Sequence, residues 1–265
     1  MLRLATVNVN GIRAAMRKGM DEWLGQADCD VVTLQEVRAP DAIVHDIVAH
    51  HGYHVVHTEA AAKGRAGVAV LSRTEPKASR PAIGDTYFDD SGRWIESDVV
   101  LQDGSLLTVV SAYVHSGEAG TPKQDDKYRF LEGLVGRLAA LREQSDHVVL
   151  TGDLNIGHTE RDIRNWKGNL KKAGFLPEER AYLTRLIDEI GYVDVARTLA
   201  GDVDGPYTWW SMRGQAFDND TGWRIDYQLA TPELAATARS ARVDRAPSWG
   251  ERWSDHAPLV VEYDL

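Results

Sequence analysis

Short apolar, β-branched runs alternate with helically periodic segments from the first residues of the chain to the last. The runs over residues 2–9, 31–35, 53–57, 67–72, 94–101, 106–114, 147–151, 207–210, 225–230 and 258–263 predict strands. Apolar spacing predicts helices over 12–26, 42–51, 125–143, 159–173 and 178–190. Phe130, Leu131, Leu134, Leu138 and Leu141 trace one face of the third helix. Gln102-Asp103-Gly104-Ser105 reads as a hairpin turn, and the 55–70 stretch joins strands without room for a full helix. Those two connections argue against a pure βαβ repeat. The pattern predicts an α/β protein: mixed sheets packed face to face with helices outside. Gly, Pro and charge are spread evenly, with no long linker or repeat, so residues 1–265 read as one domain.

Composition narrows the function classes. The apolar share is 43%, ordinary for a globular protein. A single cysteine, Cys29, rules out an intrachain disulfide and fits a reducing, cytoplasmic setting. No apolar run approaches the roughly 20 residues of a membrane span, and Met-Leu-Arg-Leu-Ala enters a strand without a signal-peptide layout. Lys and Arg total 30 against 40 Asp and Glu, a net charge of −10. That balance disfavours a protein that coats DNA generally. It leaves room for a nucleic-acid enzyme that gathers its acids around a metal. No feature calls for an oligomer, so a monomer is expected.

The chemistry sits where the apolar runs stop. The run 4–7 ends in Asn8, 31–35 in Glu36, 107–112 in Tyr113, and 148–152 in Asp153-Leu154-Asn155. Asp226 opens a strand pattern, and Asp255-His256 precedes the last one. Strand ends hold side chains on rigid backbone at open surface, where mixed sheets place their sites. If these ends converge, Glu36, Asp153, Asp226 and Asp255 repel one another unless a cation lies among them. Oxygen ligands without thiolate suit Mg²⁺ or Mn²⁺. Together with a His–carboxylate pair, they suit attack of water on a phosphate ester. Each piece alone has a plainer reading: Asp and Asn at strand ends form turns, and Tyr113 fits a half-buried core position. The joint occurrence carries the argument.

At these residues the sequence resembles the exonuclease III family of abasic-site endonucleases, within the endonuclease/exonuclease/phosphatase superfamily. The resemblance runs from Asn8-Val9-Asn10-Gly11-Ile12-Arg13 through Leu34-Gln35-Glu36 and Gly152-Asp153-Leu154-Asn155 to Ser254-Asp255-His256-Ala257-Pro258. Asn10–Arg13, Gly174-Phe175-Leu176-Pro177-Glu178-Glu179-Arg180 and Trp223-Arg224-Ile225-Asp226-Tyr227 resemble its DNA-repair branch most closely. The resemblance implies a four-layered α/β sandwich and a Mg²⁺-dependent DNA phosphodiesterase. Its substrates would be duplex DNA with abasic sites or blocked 3′ ends. Carried over, Glu36 ligates the metal with Asn8 or Asn10 nearby, and Asp255 reaches it through water. Asp153 acts on the attacking water, and Asn155 holds water or phosphate. Tyr113 contacts the phosphate, and His256, oriented by Asp226, contacts a phosphoryl oxygen. After the tyrosine the family has Pro and then Asn or Gln; here Tyr113-Val114 is followed by His115-Ser116, leaving Ser116 or His115 to contact phosphate.

Trp209 and Trp223 match positions that wall the pocket for a flipped-out, baseless sugar, against the plainer reading of Trp209-Trp210 as core. Arg161, Arg164, Lys167, Lys171 and Lys172 read as a phosphate-tracking surface beside Trp166, or as a solvated helix face. Arg13 and Arg93 are further DNA candidates; Lys123 and Lys127 are weaker ones. The set His50, His51, His54 and His57 crosses a change of element at Gly52, so its rings need not converge, and it reads as structural. Two competing functions remain: a superfamily phosphohydrolase acting on RNA, lipid or inositol phosphate, and a non-catalytic nucleic-acid-binding regulator.

Overall fold

A computed structural model describes residues 1–265. Twelve strands form two mixed six-stranded sheets. β1 (Leu2–Asn8), β2 (Val31–Gln35), β3 (His54–Thr58) and β4 (Val68–Ser72) belong to the first sheet. β5 (Ala78–Arg80), β6 (Trp94–Val100), β7 (Leu106–Tyr113), β8 (Val148–Asp153), β9 (Val193–Asp194) and β10 (Asp226–Ala230) make the second. β11 (Ala238–Val243) and β12 (Leu259–Tyr263) return to the first, which has the order β11-β12-β1-β2-β4-β3. The second runs β5-β6-β7-β8-β10-β9. Each sheet has one parallel pair, β1–β2 and β7–β8, and all other pairs are antiparallel.

Helices cover both outer faces. α1 (Ile12–Ala15), a π-turn (Met16–Met20), α2 (Asp21–Gln26) and α3 (Asp41–Val48) lay Ile12, Met20, Leu24, Val44 and Val48 on Val7, Leu34 and Ala69. On the second sheet, α4 (Pro122–Gln144) and α5 (Pro177–Thr184) lay Phe130, Leu134, Leu138 and Leu183 among residues that include Val110, Leu150 and Leu229. The short α6 (Val195–Ala200) and α7 (Pro232–Ala235) add Val195 and Leu234 to the layer between the sheets. The result is the α/β sandwich that the pattern predicts.

The layer between the sheets changes character along the strands. Period-two alternation turns Leu2, Leu4, Thr6 and Asn8 of β1 inward, and Val31, Thr33 and Gln35 of β2. On the facing sheet the inward rows are Leu107, Val109, Ser111 and Tyr113, and Val149, Thr151 and Asp153. All four rows pass from aliphatic through hydroxyl to larger polar side chains toward one end. There Thr33 and Thr151 hydroxyls lie 2.7 Å apart, and Gln35 Nε2 donates to Ser111 Oγ at 3.0 Å. Buried polar groups tolerate few partners, so these bonds fix how one sheet sits on the other.

Several expected elements differ. Residues 207–210 form no strand; Trp209 makes only single bridges, to Trp223 and His256. Residues 159–173 form two 3₁₀ turns, Glu160–Asp162 and Trp166–Gly168, instead of a helix. Asp162 turns inward and accepts from Arg224 Nε (2.7 Å) and Arg197 (2.6 Å), which stops a regular helix. The edge strands β5, β9 and β11 escape the pattern because they are short or polar. The helix expected over 42–51 ends at Val48 in a 3₁₀ turn, Ala49–His51. The one expected over 178–190 passes into a π-turn, Arg185–Glu189.

Arg224 also donates to Asp194 at 3.1 and 2.7 Å, so one buried guanidinium joins two buried acids. Burial opposes ionisation of Asp162, but Arg224 overcomes it and holds the carboxyl down to about 2. Arg224→Met leaves both acids short of a cation. It should cost about 3–5 kcal/mol of unfolding free energy, read from urea denaturation. A loss under about 1 kcal/mol would contradict this account.

Candidate active site

The strand ends meet in one cleft of about 420 Å³, lined among others by Glu36, Tyr113, Asp153, Asn155, Trp209, Trp223, Asp255 and His256. Strand register explains the convergence. Tyr113 pairs with Asp153 across the parallel β7–β8 ladder, and Asp226 pairs with Asp153 from the other side. Gly152, with φ +130°, permits this: a Cβ there would meet the Ala112 carbonyl oxygen at 2.0 Å. Glu36 leaves β2 with φ 50° and Asn155 leaves β8 with φ 51°, left-handed turns that swing the chain onto the rim.

One amide joins the two sheets. Asn8 Nδ2 donates to Glu36 Oε1 at 2.8 Å and to Asp153 Oδ2 at 2.9 Å. Its Oδ1 accepts from the Asn10 backbone at 3.0 Å. Asn10 Nδ2 and Trp209 Nε1 clamp the two oxygens of Asp255, at 2.8 and 3.0 Å. Asn155 donates its backbone N–H to Asp153 Oδ1 at 2.9 Å, and its amide to Asp153 Oδ2 (3.2 Å) and the Val114 carbonyl (2.9 Å). The three asparagines therefore order the acids, with both amide hydrogens of Asn8 and of Asn155 already engaged. Arg38 rests its guanidinium on the outer oxygen of Glu36.

His256 is buried between two carboxylates. Its Nδ1 lies 2.8 Å from Asp226 Oδ2, and its Nε2 faces Asp153 Oδ2 at 3.7 Å. Burial alone would lower the imidazole, but Asp226 and Asp153 raise it to about 10. Burial pushes Asp153 up to about 7, helped by Asp226 and Glu36 and opposed by His256. Burial, with Glu36 and Asp153, keeps the Tyr113 phenol protonated, well above its ordinary value. Asp226 Oδ1 is buried without a hydrogen-bond partner.

These acids fit a hard divalent cation. The donor set is carboxylate and amide oxygen without thiolate. Asp226 and Glu36 add to the burial that raises Asp153, and such an ion would offset that negative charge.

A sequence profile described as the endonuclease/exonuclease/phosphatase family matches residues 5–256. The chain belongs to that family. Among curated relatives it is 36% identical to an exodeoxyribonuclease of Bacillus subtilis, over 98% of each chain. It is 32% identical to the exodeoxyribonuclease III of Haemophilus influenzae, over 99% of this chain and all of that one. Among solved structures it matches a 3′ phosphatase from Neisseria bound to a product DNA hairpin (TM-score 0.90, 28% identity). It also matches an AP endonuclease from Archaeoglobus fulgidus (TM-score 0.87, 29% identity). Both cover the whole of both chains.

The family's cleft has an aromatic wall in this chain. Trp209 and Trp223 meet edge to face, centroids 5.9 Å apart at 88°, while Trp210 is buried beneath. Ser116 lines the cleft, whereas His115 lies outside its lining. It packs against Phe88 and Phe130, and burial lowers it to about 3. Arg93 lies over the Tyr113 ring at 4.5 Å and donates to the Tyr113 carbonyl. A second groove adjoins the cleft, sharing Glu36, Arg38 and Tyr113 and adding Arg93, Lys63 and Arg65. Nothing in the local sequence pattern marks Lys63 or Arg65. Arg13, Lys167 and Lys171 are exposed, whereas Arg164 pairs with Asp204 at 3.3 Å.

Lys127 is not a surface contact. It is fully buried, with Nζ 2.6 Å from Glu179 and donating to the carbonyls of Asn155 (2.9 Å) and Ser116 (3.3 Å). Glu179 in turn accepts from the backbone N–H groups of Gly174 (2.6 Å) and Leu176 (2.9 Å). One ion pair thus ties together the loops after β7 and β8 and the segment before α5. The signal was available: Lys127 lies four residues before Leu131 and seven before Leu134, on the apolar face of α4.

His256 gives a pH test with a definite sign. The folded state binds a proton that the unfolded chain releases near 6.5. In chelator, the stability from His256 is complete below about 6.5 and is lost as pH rises through about 10. Imidazole NMR should find His256 protonated at pH 8, and Asp226→Asn should lower its midpoint by a unit or more, about 1.4 kcal/mol. A wild-type midpoint near the ordinary histidine value would remove this electrostatic account.

Proposed function

We propose that the chain is a metal-dependent DNA-repair phosphodiesterase with the activities of an exodeoxyribonuclease III. It cleaves duplex DNA 5′ to abasic sites and trims nucleotides or blocking groups from 3′ ends, with Mg²⁺ as the cation. The observation that carries the reading is the Asn8 amide spanning Glu36 and Asp153, with the Asp226-held His256 opposite Asp153. Full-length similarity to an exodeoxyribonuclease and to an exodeoxyribonuclease III supports it.

Glu36 would hold the cation, with Asp255 and Asn10 on its water shell. When bound, the ion supplies positive charge against the phosphoryl oxygens. Asp153 orients water and takes its proton, poised by burial near the pH at which the reaction must run. Cationic His256 presents Nε2–H to a phosphoryl oxygen as negative charge grows there, and Asp226 keeps the ring oriented. Tyr113 is a neutral phenol donor to the same phosphate. Asn155 keeps Asp153 in place, its amide hydrogens taken up by Asp153 and Val114.

Substrate choice rests on the aromatic wall and the cations. An abasic sugar offers little to hydrogen-bond, and flat walls such as Trp209 and Trp223 suit it. Arg13, Arg38, Lys63, Arg65, Arg93, Lys167 and Lys171 offer phosphate contacts on either side. Such a wall is not what a soluble lipid or inositol phosphate requires. Every group the mechanism invokes comes from one copy, so the reaction as proposed needs no second subunit.

The test is a duplex with one internal abasic analogue and a labelled 5′ end, incubated with Mg²⁺ or with EDTA. One incision 5′ to the lesion is expected with Mg²⁺ and none with EDTA. Asp153→Ala and His256→Ala should each lower the rate at least about a hundred-fold with circular dichroism unchanged. Full activity in either variant, or in chelator, would overturn the mechanism.

A further inference from the structure

Three metal-ligating side chains meet in the helical layer outside the first sheet, on elements that take no part in the cleft. Asp21 opens α2, and His50 and His51 lie in the 3₁₀ turn after α3. Asp21 Oδ1 is 2.9 Å from Nε2 of His50 and 2.9 Å from Nε2 of His51. The three ligand atoms all lie within 4.8 Å of one another, and the two rings are 4.0 Å apart at their centroids. The histidine set crossing Gly52 therefore does converge in part. His57 goes elsewhere, with its side chain buried beside Asp41 at 3.4 Å.

We propose that Asp21, His50 and His51 form a binding site for a divalent transition-metal ion of the Zn²⁺ class, which staples α2 to the turn after α3. Two imidazole nitrogens and one carboxylate oxygen are the donors such borderline ions take, with water in the fourth position. Mg²⁺ prefers an all-oxygen shell and is a poor match. The geometry is nearly that of a bound ion. Bonds of about 2.0–2.1 Å at a tetrahedral centre separate neighbouring ligand atoms by about 3.3 Å. Asp21 Oδ1 sits 2.9 Å from each nitrogen and all three atoms lie within 4.8 Å, so a few tenths of an ångström of opening on the carboxylate side and a small adjustment of the rings admit the ion.

The scaffold limits how far the ligands must move. Met20, just before Asp21, is fully buried in the core cluster that also holds Leu24, Val44 and Val48. The His51 side chain is only 9% exposed, and its carbonyl accepts from Arg73. Arg73 in turn lies over the Tyr53 ring at 4.0 Å, which holds the turn against the sheet. His50 and Asp21 must give up more freedom, their side chains being 61% and 52% exposed. The ion would join two elements whose present link outside the core is a pair of N–H···O bonds at the surface, and those contribute little.

The experiment is calorimetric titration of the full chain with ZnCl₂ in millimolar Mg²⁺, which keeps the cleft acids occupied. It is paired with Co²⁺ titration followed by visible absorption. Wild type should bind one Zn²⁺ in the micromolar range and give the visible bands of tetrahedral, imidazole-ligated Co²⁺. His50→Ala and Asp21→Ala should each weaken Zn²⁺ at least tenfold and abolish the bands. Both variants should keep the wild-type circular dichroism and their Mg²⁺-dependent activity, and His50→Ala should lose the rise in Tm that Zn²⁺ gives wild type. No visible bands in wild type, or equal affinity in the variants, would overturn the proposal and leave the triad as hydrogen-bonded histidines. Because absorption and melting are read without nucleic acid, a failed nuclease assay would not touch this result.

Discussion

The whole site depends on one side-chain amide spanning two sheets. Asn8 ends a strand of the first sheet and donates to Glu36 on the same sheet and to Asp153 on the other. Two carboxylates cannot be held this close by packing alone, because their charges push them apart. A neutral donor with two hydrogens at fixed angle holds them without cancelling their charge. The cleft remains negative, as a cation site must. The bridge works only if the sheets keep their relative position, and the inter-sheet layer provides for that. Its aliphatic end supplies adhesion, which is nondirectional. The polar end supplies register through Thr33–Thr151 and Gln35–Ser111.

Burial then sets the chemistry. His256 is out of water and keeps its charge because Asp226 and Asp153 lie on either side of it. Asp153 is raised by the same burial that would make an isolated acid inert. The proton acceptor and donor of the proposed mechanism are thus pushed in useful directions by a single low-dielectric pocket. Such crowding is costly, and its support is ionic too. Lys127–Glu179 and Arg224 with Asp162 and Asp194 are buried ion pairs beside the cleft. They add directional constraint to loops that carry cleft residues, where an apolar contact would permit sliding.

The central strands were legible because they repeat every second residue and are long enough to show it. The acids at their ends were legible as stops in those runs. Short edges such as β9 and β11 carry too few inward residues to register. The segment 159–173 misleads because its spacing suits a helix, whereas Asp162 is drawn inward by Arg224, a partner 62 residues away. Long-range ion pairs leave no periodic trace. Trp209 was half legible: alternation separates it from buried Trp210, but only the bridges to Trp223 and His256 place it on the wall. His115 follows the cleft tyrosine so closely that sequence alone offers it to the phosphate. The fold instead turns it against Phe88 and Phe130.

The net charge of −10 poses a question for any chain proposed to meet DNA. The answer lies in how the charges are paired. Many arginines away from the cleft already face acids: Arg129 faces Asp85, Arg185 faces Glu132, Arg239 faces Asp264, and Arg80 and Arg137 share Glu96. Those cations are locally neutralised and attract little. Lys63 and Arg65 in the groove beside the site, and Lys167 and Lys171 on the segment leading to Ala173 and Gly174 of the cleft, stand without a carboxylate partner. A polyanion feels the local field within about a Debye length, about 8–10 Å, more than the total charge. Unpaired cations flanking an acidic cleft therefore make a track with a negative gap. In the proposed reading, backbone phosphates would rest on either side, and only the one phosphate that accepts a metal ion would lie across the gap.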